Sequence, residues 1–166
     1  MAVQDSAEAI IEEIRIAFAN VKRGRITLHE AEEIDNYSTA EICALARLKD
    51  KDSHWEEVPD EHIFRCRCTL IYLDPESWRY YIPAYMIFTL RYCDQKPHVP
   101  DEGYYTSASI DSTIFTLSDN FDPERYQRLN TAQSRVIYRF LRYFAEMGDS
   151  EAERAIEVIW MKFCQE

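Results

Sequence analysis

The residues with the plainest chemical potential sit in "LHEAEE": His29, Glu30 and Glu33. On a helix, positions 29 and 33 share a face, and an imidazole beside carboxylates can hold zinc or iron. A cation held there would suit a metal-assisted hydrolase. The HExxH spacing of zinc proteases is not met, because position 33 is Glu rather than His. A solvated acidic helix face explains the same residues without any ligand. His54, His62 and His98 sit singly in polar surroundings, and none has a partner in the local sequence.

A second candidate lies in "WRYYIPAYM", residues 78 to 86, where Arg79, Tyr80 and Tyr85 could meet a ligand or a protein partner. At helical spacing Trp78, Tyr81, Ile82, Tyr85 and Met86 fall on one side. Tyr80, Ala84, Ile87 and Phe88 make the other side apolar as well. A helix apolar all round is a buried one, so this stretch is expected at the centre of the core. Pro83 removes one backbone hydrogen bond and is expected to kink the helix or divide it in two.

Other chemistry is excluded. No G-x-S-x-G elbow, phosphate-cradling loop or dinucleotide fingerprint occurs, and the three glycines could hardly supply one. The five cysteines are odd in number and form no C-x-x-C pair, which points to reduced thiols and a cytoplasmic location. No cofactor is implied. Arg135, Arg139 and Arg142 line one face of a helix and could pair with the acidic amino-terminal half.

Net charge is −11. Residues 1 to 61 carry fifteen acids and seven bases, and the remaining residues carry fifteen and twelve. Such a surface disfavours nucleic acid and anionic membranes and would attract a basic protein. The main expectation is therefore an acidic interaction module that neutralises a basic partner, with the metal-assisted hydrolase as the alternative.

The elements that must position these residues are mostly helices. Ser6 caps a helix over 6–21, and Gly24 offers a left-handed turn after it. Thr27 and Glu30 make a capping-box pattern, and "STAEICALARLKDKD" continues with a third helix. Residues 60–66 follow Pro59 as a short helix, and Asp74 with Pro75 opens the aromatic one. Asn130 and Gln133 cap a strong helix that Gly148 closes, and a last helix starts near Ser150. Residues 94–106 read as a long loop. Residues 68–73 could be helix or strand, and 112–118 look strand-like, so a small two-stranded β element is one possibility there. The expected fold is a single mainly α domain over 1–166, a compact helical bundle.

"ITLHEAEEIDNY", "WRYYIPAYM", "SIDSTIFTL" and "RAIEVIW" together resemble a family of small bacterial proteins known as a domain of unknown function. The likeness runs from about Gly24 to Trp160. It implies a single bacterial domain and carries no activity with it.

Overall fold

A computed structural model describes residues 6–94, 100–118 and 122–164, with the side chains of 100–106 left aside. Nine α-helices occur among them: α1 (Ala7–Phe18), α2 (Leu28–Asp35), α3 (Ala40–Arg47), α4 (Asp60–Arg65), α5 (Pro75–Tyr92), α6 (Pro100–Ser118), α7 (Pro123–Gln127), α8 (Thr131–Glu146) and α9 (Ser150–Ala155). Short 3-10 turns at Trp55–Glu57 and Thr69–Tyr72 join them, and a π turn, Ile156–Trp160, follows α9. The chain is a mainly helical, single-domain bundle.

Helix α5 is its axis. From Ser77 to Leu90 every residue but Arg79 is buried, and α1 and α6 pack against it. It opens where the chain stops being free to turn: Asp74 accepts from the Ser77 N–H, and Pro75 supplies a ready-made first helical angle. The helix runs unbroken through Pro83, so the expected division in two does not occur. Neighbours on all sides hold residues 82 to 84 in place, which outweighs one missing backbone bond. Helix α8 closes the other side on α1 and α9, and Arg139 pairs with Glu13 across the α1 contact. That pairing joins the basic face of α8 to the acidic amino-terminal half.

The β element is absent among the described residues. Residues 69–72 form a 3-10 turn and 112–118 lie inside α6. The hydroxyls of that segment find helical uses: Thr113 donates to the Ser109 carbonyl, and Thr116 accepts from the Trp78 indole at 3.0 Å. Of the loop expected over 94–106, residues 95–99 lie outside the described residues, and α6 takes up the chain from Pro100. His98 falls in the same gap.

Gly24 serves contact rather than handedness. A Cβ there would sit 2.4 Å from the Ser77 backbone nitrogen, so only glycine lets the chain cross the start of α5. Two residues on, the Ile26 N–H donates to Asp74 and to Ser77 at 3.0 Å each. The chain entering α2 is thereby fixed to α5.

A buried histidine and aspartate cluster

Helix α2 starts beside its own cap. The Thr27 N–H donates to Glu30 Oε2 at 3.1 Å, and Arg47 of α3 holds the same oxygen at 2.7 Å. Glu33 accepts from Ser38 Oγ at 2.6 Å. Both glutamates of the sequence candidate are thus engaged in tying α2 to α3 and the turn between them. His29 points elsewhere.

Its partner is Asp50, just beyond α3. Asp50 Oδ2 accepts from the His29 backbone N–H at 2.9 Å, and Oδ1 lies 2.7 Å from His29 Nδ1. One carboxylate therefore satisfies an orphan amide at the α2 N-terminus and orients the ring above it. Burial works to raise the Asp50 carboxyl, but hydrogen bonding from the His29 ring, the Thr27 side chain and the His29 backbone outweighs it and holds the group below its ordinary value. An ionised carboxylate only accepts, so Nδ1 of His29 carries the proton and, in the neutral ring, Nε2 keeps the free lone pair.

His62, in the first turns of α4, completes the group. Its Nδ1 lies 3.7 Å from Asp50 Oδ1, too far for a hydrogen bond, and this buried nitrogen has no hydrogen-bond partner among the described residues. The His29 and His62 rings meet edge to face, with centroids 4.5 Å apart. Burial, then the neighbouring His29, lower the His62 pKa, against the pull of Asp50, Asp52 and Glu61. The imidazole stays neutral at pH 7. Among the described residues, His29, Asp50 and His62 are the group that could hold a metal, with ligand atoms all within 4.8 Å of one another.

The segment carrying Asp50 is braced from below. Arg23 donates to the carbonyls of Asp50 and Asp52, each at 2.9 Å, and lies 3.6 Å from the Asp52 carboxylate. Tyr80 of α5 donates to Asp52 at 2.9 Å. Helix α4 is anchored through Tyr92, which donates to Asp60 at 2.8 Å.

His29 and His62 form part of the wall of a cavity of about 630 Å³. Lys49, Arg65 and Arg67 line it as well, with Glu32 and Glu61. Cys66 lies nearby, but its buried thiol donates to Glu32 at 3.5 Å, and burial pushes it far above its ordinary value. A thiol so protonated is no nucleophile at neutral pH.

Of the sequence candidates, His29 enters the cluster while Glu30 and Glu33 stay outside it. Arg79 donates to Gln133 at 3.0 Å, and Tyr80 and Tyr85 are wholly buried, the latter donating to the Cys66 carbonyl. The sequence reading missed Asp50 and His62. Asp50 lies 21 residues from His29, in a charged stretch with no motif, and only the folded chain unites them.

Comparison with known proteins places the chain without assigning it chemistry. It belongs to a family of unknown function, DUF6714, whose model matches residues 6–163. No curated protein and no solved structure matches it. No helix among the described residues is long and apolar enough to cross a membrane.

Proposed function

We propose that this member of the family holds a divalent transition metal on His29, Asp50 and His62 and uses it for hydrolysis in the adjoining cavity. The observation that carries this is the Nδ1 atom of His62. A cap for α2 explains Asp50, and Asp50 explains His29, but neither gives the buried His62 nitrogen anything to bind. Buried polar atoms without partners are rare, and one aimed at a carboxylate–histidine pair is what a ligand set without its ion presents.

Two imidazoles and a carboxylate suit zinc or iron(II) and leave coordination positions open for water and substrate. The cation would supply Lewis acidity and an activated water. The protein's part is to keep the His62 ring neutral and the Asp50 carboxylate charged. The lowered values of His62 and Asp50 favour those forms at pH 7.

Elemental analysis of protein purified without chelator tests the proposal. About one equivalent of metal is expected, lost in the His62→Gln variant and released as pH falls. Less than about a tenth of an equivalent, with no thermal shift on adding zinc or iron(II), overturns it.

A second reading, the neutralising partner of a basic protein, draws on a different surface. Around the α2–α3 turn Tyr37 is 96% exposed, and Ile42, Leu45 and Leu48 also face solvent. Exposed apolar groups within an acidic half fit a partner with basic and apolar patches. A basic protein captured at low salt, released by salt and lost on Leu45→Glu is the result that would favour it.

A further inference from the structure

The cavity beside the cluster carries the opposite charge to the molecule around it. The chain bears −11 overall, yet this wall brings together Lys49, Arg65 and Arg67 against Glu32 and Glu61. Glu61 pairs with Arg65 at 2.8 Å, while Glu32 accepts from the neutral Cys66 thiol and keeps its charge, so the lining sets three cations against two carboxylates. Lys49 forms no ion pair among the described residues.

The cations are also tied in position to the proposed ligands. Lys49 immediately precedes Asp50, and Arg65 stands three residues after His62 on α4, a spacing that places both on one side of a helix. Arg67 lies one residue past Cys66, whose carbonyl is fixed by Tyr85 and Thr69. The two segments that bring Asp50 and His62 together therefore bring the positive charge with them. Resting on the metal reading for its chemistry, but not for its geometry, this arrangement has one natural occupant.

We infer that the cavity takes a phosphate ester, with its phosphoryl oxygens toward Lys49 and Arg67 and its phosphorus toward the His29–Asp50–His62 group. Guanidinium and ammonium groups match a tetrahedral oxyanion in charge and in donor geometry. A volume of about 630 Å³ has room for the ester's organic part, which would meet Phe64 on the same wall. On a chain of net charge −11, a lining with one cation in excess also favours a bound anion there. In the reaction, water's oxygen bonds to phosphorus and the phosphorus bond to the alcohol oxygen breaks. One water proton stays on the phosphate and the other leaves with the alcohol.

Inorganic phosphate titrated calorimetrically into metal-loaded protein tests the site. Binding should weaken by about tenfold or more in Lys49→Gln/Arg67→Gln, with metal content unchanged. The loaded protein should hydrolyse p-nitrophenyl phosphate in preference to the neutral p-nitrophenyl acetate. No phosphate binding to metal-loaded protein, equal binding by the double variant, or preference for the acetate overturns the inference. The same titration on metal-free protein separates the two proposals. If the chain takes up no metal but still binds phosphate through Lys49 and Arg67, the metal reading falls and the anion site stands.

Discussion

Along α5 and at the His29–Asp50–His62 cluster, the protein buries polar atoms in two different ways. On α5 most of them are met. Trp78 donates to Thr116, Tyr80 to Asp52, and Tyr85 to the Cys66 carbonyl. At the cluster the first pair is met closely and the third member is not. The difference teaches which burial is structural. A satisfied hydroxyl in a packed core specifies a fold, whereas a buried nitrogen left without a partner is costly to folding and asks for a ligand.

The largest effect tests the structural side of that contrast. Tyr85→Ala opens a cavity in the fully buried centre of α5 and takes one of two hydroxyl donors from the Cys66 carbonyl, and it should cost about 3 to 5 kcal/mol in a denaturant melt. A variant as stable as the parent would mean that α5 is not the packed axis of the bundle.

Next come the two members of the cluster that the comparison sets apart. Asp50→Ala leaves the His29 ring and an α2 amide unpaired, so it should cost about 3 kcal/mol as well as abolish metal uptake. His62→Gln should lose metal uptake while metal-free stability stays within about 1 kcal/mol. Equal losses of stability would erase the distinction and make the cluster a structural network throughout.

Acid should reveal the same asymmetry more gently. His62 lies below its ordinary value of 6.5 in the folded protein, so the unfolded chain takes up its proton first. Its contribution is intact at pH 7 and falls away as pH drops below about 6.5 towards the folded value. Asp50 is also lowered, from 3.8, and its contribution persists above that value and is lost as pH falls through the folded one. Melts from pH 7.5 to 5 should show the first loss in the parent and a flatter profile in His62→Gln. Identical profiles would place the titration elsewhere.

Local chemistry made the helices legible. Ser6, the Thr27–Glu30 pair, Asp74 before Pro75, and the Asn130–Gln133 pair all act at the helix starts where their types predict. Helix α6 was illegible because its evidence is tertiary. "STIFTLS" has strand-forming residues, but α5 and α9 pack against it, and Thr113 and Thr116 spend their hydroxyls on helix contacts. The site divides similarly. His29 could be picked from its neighbours, since helical spacing is a local rule. Asp50 sits outside any element and His62 on a helix of six residues, so no period in the sequence relates them.

The smallest effect asks where the boundary between the two regions runs. Tyr80 and Tyr81 are adjacent, both wholly buried, with rings edge to face at 4.9 Å. The Tyr80 hydroxyl donates to Asp52, and Tyr80→Phe should cost about 1.5 to 3 kcal/mol, since that bond ends on a charge. The Tyr81 hydroxyl makes no close hydrogen bond among the described residues, and burial, then the charges of Asp52 and Asp50, push its pKa up against the weaker pull of Arg23 and the Leu28 backbone N–H. Removing it discards a desolvated group that gains nothing, so Tyr81→Phe should change stability by less than about 0.5 kcal/mol. Should Tyr81→Phe instead cost as much as Tyr80→Phe, an ordered water would have to join that hydroxyl to Asp50. Tyr81 would then belong to the cluster, and the unmet atoms of the interior would form one site reaching from α4 to the axis of the bundle.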